Sequence, residues 1–287
     1  MIFGQMMSAK TTGTPSNIQA LIPAMFMYIF MAVALIWLGI GSIKARRWAR
    51  SLLLIFSWSW LMVGIVAIIS LIVILPQFLT AMQSATPTGQ PALPQAAKLM
   101  MLLIPMLMLA FIFLILPGLW VFFYRSNHVK ATCEARDPVM RWTDGCPLPV
   151  LAISLWLGFG ALTMLAMPVA YHSVIPFFGA FVSGLPGTVL YLVLAALWGY
   201  SAWAMYKLDP RGWWLIFVSL CLFSVSHIIT YARHDVLELY RLMEYPEAQI
   251  EQLQKFSFLT DGTMVWGSLL FMAPFLGYLI YVKKFFR

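Results

Sequence analysis

Charged side chains are scarce in this sequence. Asp, Glu, Lys and Arg together make up 10% of the 287 residues, where a soluble domain carries about 25%. Hydrophobic residues make up 62%. A soluble fold of this length could not hide so much apolar surface, because a large share of any folded surface faces solvent. With lipid as the solvent the composition makes sense. Acids are scarcer than bases, 10 against 18, and no Asp, Glu, Lys or Arg lies in the middle of any long apolar stretch. Ion-coupled carriers usually display such a group inside the membrane, so its absence weighs against one. Cysteine is nearly missing too. There are three, an odd number, with Cys221 inside an apolar stretch, so no disulfide framework is implied. Several enzymatic signatures are also lacking: no Gly-x-Ser-x-Gly nucleophile turn, no His-Glu-x-x-His metalloprotease helix, no Gly-rich phosphate loop with its lysine. The last apolar stretch holds no interior lysine for a retinal Schiff base.

The apolar residues gather into seven stretches of about 20 residues, the length that crosses a hydrocarbon core of about 30 Å. They lie near 18–43, 51–75, 99–124, 150–171, 188–206, 212–232 and 263–282. Barrel strands would be about 10 residues long and strictly alternating, and nothing here alternates. The expected fold is an all-α integral membrane protein, a bundle of about seven transmembrane helices with short amphipathic helices on the outer face. Its plan is an external tail over 1–17, helices one to three over 18–124, a cytoplasmic loop over 125–149, and helices four to seven over 150–287. The first apolar stretch is too long for a signal-peptide core and ends in a basic cluster, so no cleaved leader is expected.

Basic residues cluster at the ends of the stretches. That pattern orients a chain in a bilayer and does not describe a nucleic-acid surface. Thirteen of the 18 fall on one side: Lys44, Arg46, Arg47 and Arg50, then Arg125, Lys130, Arg136 and Arg141, then Lys207 and Arg211, and finally Lys283, Lys284 and Arg287. The other side has Lys10, Lys98, Arg233, Arg241 and Lys255. The richer side is read as cytoplasmic, which places the N-terminus outside and the C-terminus inside, in a membrane of the bacterial inner type.

The polar segments differ in character. Residues 76–98 read as a loose external loop. Residues 171–187 carry no charge and contain Pro176, Gly179, Gly184, Pro186 and Gly187; an interfacial loop is expected there, with a re-entrant segment as the alternative. Within the external segment 233–258, Val236, Leu239, Tyr240 and Met243 share one helical face, and Pro246-Glu247 reads as a second helix start. Glu251 and Lys255 form an i, i+4 pair. Two amphipathic helices are expected, as a surface cap or as a lid. In the central loop, His128, Cys133 and Cys146, with Asp137 and Asp144 nearby, are the residue types that bind zinc. They lack the close Cys pair of structural zinc sites, so the loop is read as ordered, with reduced thiols and Trp142 at the headgroups.

A weak internal repeat runs through the chain. Tyr28 and Lys44 bracket helix one with the same spacing as Tyr191 and Lys207 around helix five, and each pair precedes a basic turn with tryptophan. Pro117 and Tyr124 in helix three match Pro274 and Tyr281 in helix seven in spacing. Two three-helix units joined by helix four would follow, the plan of transporters built from parallel repeats.

Helix six is the least lipid-like stretch. Ser219, Ser224, Ser226, His227, Thr230, Tyr231 and His234 fall on about half of its surface at 100° per residue. A polar face does not point at lipid, so these seven are the expected lining of a cavity. His227 is the lone ionisable group well inside a stretch. It is read as an interhelical hydrogen-bonding residue or a cavity residue, with Ser57 and Ser59 as partners. A haem ligated by His227 and His172 is a third reading. No cofactor, haem or zinc, is expected. The partners expected are the lipid bilayer and other membrane subunits, with no nucleic acid. The first functional expectation is a small permease- or channel-like protein with a polar cavity beside helix six. An accessory or scaffold subunit of a larger membrane complex is the alternative, and an intramembrane enzyme or haem protein is the third.

Overall fold

The computed structural model describes residues 18–84, 95–170, 172–254 and 263–286. Helix α1 (Ile18–Ile43) turns into α2 (Arg47–Ser84). The next apolar stretch is built in three pieces: α3 (Gln95–Ala110), a π-helical turn (Phe111–Ile115) and α4 (Leu116–Arg125). A polar helix, α5 (Asn127–Arg136), and a 3₁₀ turn (Trp142–Asp144) lead to α6 (Leu148–Ala170). Strands β1 (Ile175–Phe177) and β2 (Ala180–Val182) precede α7 (Gly184–Tyr206) and α8 (Pro210–Arg233). Two short helices, α9 (Val236–Leu242) and α10 (Glu247–Gln254), then α11 (Thr263–Val282) and a 3₁₀ turn (Lys283–Phe285), complete the order. Among the described residues, five helices are long and apolar enough to cross a membrane: Arg47–Ile72, Leu103–Arg125, α6, α7 and α8. In α1, Tyr28–Ile43 is a shorter apolar helix.

Two helix hairpins, α1–α2 and α7–α8, are closed by the same turn. After α1, the Ala45 N–H donates to the Ser42 carbonyl and the Arg46 N–H to the Gly41 carbonyl, both at 2.9 Å. After α7, Leu208 donates to Met205 and Asp209 to Ala204, again at 2.9 Å. This is the Schellman arrangement, which needs a left-handed residue at its apex. Ala45 (φ 49°) and Leu208 (φ 59°) take that place without the freedom of glycine. Each turn lets the two helices touch at a small pair. A Cβ on Gly41 would lie 2.7 Å from the Ala49 Cβ, and one on Gly212 would lie 2.6 Å from the Ala204 Cβ. The glycine and alanine have exchanged places between the hairpins, but the crossing point is the same. α8 starts where it does because Pro210 opens the helix with no N–H to lose, and Asp209 caps it by accepting from the Arg211 N–H at 2.9 Å.

The main apolar core joins α6, α7, α8 and α11. Val150, Leu151, Ile153 and Leu157 of α6 meet Ala202 and Met205 of α7, Trp213, Ile216 and Leu220 of α8, and Leu279 and Val282 of α11. Ser154 Oγ donates to the Ala202 carbonyl at 2.7 Å, and Trp213 Nε1 to the Leu279 carbonyl at 2.8 Å, which pairs these two buried polar groups. A second contact joins α2 to the π-helical turn. Pro117 has no N–H to offer the Phe113 carbonyl, and the helix widens there, with the Leu116 N–H bonding back to Phe111. The freed Phe113 carbonyl approaches Gly64 of α2 so closely that any Cβ would collide with it. Trp60 packs edge-on against Phe113 and Trp120 beside this point.

Several expectations are corrected here. The described residues are mostly helical, as expected, but residues 172–187, read as an interfacial loop, hold a small two-stranded antiparallel hairpin with Ile175 opposite Val182 and Phe177 opposite Ala180. Its turn has Phe178 (φ 42°) and Gly179 (φ 90°) both left-handed, the two-residue geometry that suits hairpin twist. Phenylalanine is not a residue that signals such a turn, so the sequence hid it. The central loop 125–149 contains helix α5 and a 3₁₀ turn. The stretch 76–98 is helical at both ends, because α2 runs through Pro76 to Ser84 and α3 starts at Gln95. The expected helical membrane bundle of about seven spans is matched in part, by five candidate spans among the described residues. The tail 1–17 lies outside the described residues, and so does Lys255 with its pairing to Glu251.

Candidate functional site

The bundle has a basic end, where α1, α4, α7 and α11 finish and α2, α6 and α8 begin, and a hairpin end. At the hairpin end the polar face of α8 is occupied by the β-turn. The Phe178 N–H donates to Ser226 Oγ at 2.8 Å, and the Gly179 N–H to Thr230 Oγ1 at 2.9 Å. Thr230 in turn donates its hydroxyl to the Ser226 carbonyl. Both side chains are buried. His234 completes the clamp. Its Nε2 bonds the Gly179 carbonyl at 2.9 Å and its Nδ1 bonds Glu238 Oε2 at 2.8 Å. A carbonyl and a carboxylate both only accept, so the imidazolium satisfies both contacts. The Glu238 carboxylate, and then the Gly179 carbonyl, raise the His234 pKa above its ordinary value.

The remaining residues of that face are spread out. Ser219 and Ser224 bond the Ile216 and Leu220 carbonyls of their own helix. The His227 ring lies 4.4 Å from that of Tyr231 in a tilted contact, and the Tyr231 ring also meets Phe181 of β2. Ser57 bonds the Leu53 carbonyl, and Ser59 accepts from Trp156 Nε1. His172 is exposed at the start of the hairpin segment, with φ 49°. The opposite face of α8 carries exposed Leu215, Val218, Leu222 and Val225. In α9, Val236 and Leu237 are buried, as is Met243 just after it, while Leu239 and Tyr240 are half-buried. Val236 and Leu237 pack on Ile250 of α10.

At the basic end, α5 and the 3₁₀ turn fold over the start of α2. Asp137, only 1% exposed, accepts from Arg141 Nη2 at 3.1 Å and Arg46 Nη1 at 3.5 Å. The Arg141 guanidinium holds the Asp137 carboxyl below the usual carboxylate range. Arg47 reaches Asp144 at 3.7 Å and Glu134 at 3.8 Å, and Lys130 reaches Glu134 at 3.9 Å. Between these pairs lies a cavity of about 350 Å³, lined among others by Arg50, Ser51, Cys133, Thr143 and Cys146. A second cavity, of about 610 Å³, opens between α2 and α4, with Trp58 and Val121 in its wall and Arg125 at its rim. Neither cavity is lined by the seven polar residues of α8.

Of the zinc-type residues, Cys133 and Cys146 are buried against the first cavity, while His128 is exposed on α5. Among the described residues no three His, Cys, Asp or Glu side chains are grouped to hold a metal. Burial pushes both thiols up, Cys146 to about 11, which keeps them protonated and weakly nucleophilic at neutral pH. Sequence reasoning missed Arg50, Thr143 and the network around Asp137. The usable signal was Asp137 and Asp144 within a basic segment that a lone turn would not need. Comparison with protein-family models, with curated proteins and with solved structures finds no match.

Proposed function

We propose that this chain is an accessory or scaffold subunit of a membrane complex, non-catalytic, with its basic end on the cytoplasmic side. The observation that carries the reading is the use of the α8 polar face. Ser226, Thr230 and His234 bind the backbone of the β-turn, so side chains that would suit a solute path serve the fold. A permease-like protein remains the second reading, supported by His227, which is half-buried beside Tyr231. In this proposal α1 and α11 join the five apolar spans to make seven crossings. The matched turns after α1 and α7 support two duplicated units, with α6 as the connecting helix. The excess of Lys and Arg at the basic end supports its cytoplasmic placement.

Gentle extraction from native membranes, followed by native mass measurement, tests the reading. A complex of fixed stoichiometry with a second membrane polypeptide is the expected result. A chain that purifies alone and, once reconstituted, passes a solute that His227→Ala blocks would overturn it.

A further inference from the structure

We infer that the cavity at the basic end is a binding site for a phosphate group, held by Arg50, Thr143 and Ser51. Two buried donors on residues that line this cavity have no partner. Arg50 Nε and Thr143 Oγ1 are both buried and make no hydrogen bond, and Thr143 is 3% exposed. Leaving a buried donor unmade is costly, and native structures keep few such groups. Ser51, 8% exposed, lines the same space from the second turn of α2. The neighbouring carboxylates Glu134 and Asp144 favour the Arg50 charge through space but make no hydrogen bond with its Nε. Glu134 and Asp144 pair with Arg47 and Lys130, and Arg50 makes no ion pair among the described residues.

The chemistry of the missing partner follows from these donors. A guanidinium N–H donates only, and a threonine and a serine hydroxyl beside it offer two further donors. The occupant must therefore present several acceptor oxygens and a negative charge. The charged lining holds three cations, Arg47, Arg50 and Lys130, against Glu134 and Asp144, which leaves it positive. The start of α2 adds the favourable end of a helix dipole. A phosphate offers acceptor oxygens enough for three donor residues around one cavity, and guanidinium–phosphate hydrogen bonds are among the stronger ones. A volume of about 350 Å³ admits a phosphate with the polar group that it esterifies. The phosphate can belong to an anionic lipid headgroup at this end of the bundle or to a soluble phosphate ester. The site stands whether the chain is an accessory subunit or a permease.

The test uses the full chain, stripped of lipid in a neutral detergent. One arm adds vesicles of phosphatidylcholine, with or without phosphatidylglycerol, and reads retained lipid by native mass spectrometry. The other adds inorganic phosphate against chloride at equal ionic strength and reads thermal unfolding. Retention of phosphatidylglycerol without a phosphate effect assigns the headgroup, and stabilisation by phosphate without lipid retention assigns a soluble ester. In either case Arg50→Gln and Thr143→Val should each weaken binding by about tenfold, the loss of one charge-assisted bond. Arg136→Gln, at an exposed cation of the same end, should change nothing. Arg50→Lys and Thr143→Ser keep charge and hydroxyl, and they stand in if the stronger variants fail to fold. No binding in either arm, or equal losses in Arg136→Gln and Arg50→Gln, would overturn the assignment.

Discussion

Thr230 shows how one hydroxyl can serve two elements. Its oxygen accepts from the Gly179 N–H while its hydrogen goes to the Ser226 carbonyl, and no water reaches it. Thr230→Val keeps the shape but strands the turn amide, so stability in detergent should fall by about 1–3 kcal/mol. Thr230→Ser should fall much less, and equal unfolding temperatures for all three proteins would refute the role. His234 acts on the same turn through charge. Its folded pKa is raised, so its contribution is complete below the ordinary histidine value, about 6.5, and is lost as pH rises through the folded value. The groups facing it are Glu238, the Gly179 carbonyl and Arg233. Hydrogen exchange of the Phe178 and Gly179 amides, corrected for intrinsic rate, should therefore lose protection as pH rises above the ordinary histidine value of about 6.5. In His234→Gln that pH dependence should vanish; an identical profile in the two proteins would exclude the imidazolium.

Helix pairs are the next unit, and the repeated turn makes them comparable. Gly41 and Gly212 sit where two helices touch, whereas Gly39, on the same α1 helix, has no atom within 4 Å of its Cβ position. Gly39→Val and Gly41→Val therefore cost the same helix propensity but differ in crowding. Overpacking a contact of this kind typically costs about 1–3 kcal/mol. Gly41→Val and Gly212→Val should each lower the thermal midpoint clearly below that of Gly39→Val. If the three match, the close approach is not what holds the pairs. The α2 contact follows related logic, since Gly64 is matched to a carbonyl freed by Pro117 far along the chain.

At the scale of the whole molecule, the orientation can be read with thiols, though not with the native ones. Cys133 and Cys146 are free but buried, so their failure to react would report burial and not sidedness. Single cysteines at exposed positions separate the two. In a chain whose three native cysteines are replaced by serine or alanine, His128→Cys reports the basic end and Arg241→Cys the hairpin end. An impermeant maleimide applied to intact cells should label Arg241→Cys and spare His128→Cys, and the reverse pattern would invert the proposed topology.

Local information carried far in this chain. Hydropathy is a sum over neighbours, so the apolar stretches, their lengths and the basic residues at their ends were legible from the residues alone. The spacing of Tyr28 and Lys44 against Tyr191 and Lys207 pointed at two turns that share one backbone geometry. The two short helices after α8 followed from the face of Val236 and Met243 and from Pro246. What the residues alone could not supply was pairing between distant positions. Seven polar side chains on one face of α8 predict that the face is covered, but lipid exclusion is equally satisfied by water, by a ligand or by a β-turn. The tertiary fold chose the turn, because Gly179 reaches Thr230 only after α7 has brought the chain back. Arg50 and Thr143 read as an ordinary interfacial cation and an ordinary loop hydroxyl. Only the folding of α5 over the start of α2 buries both against one cavity and leaves them without a partner.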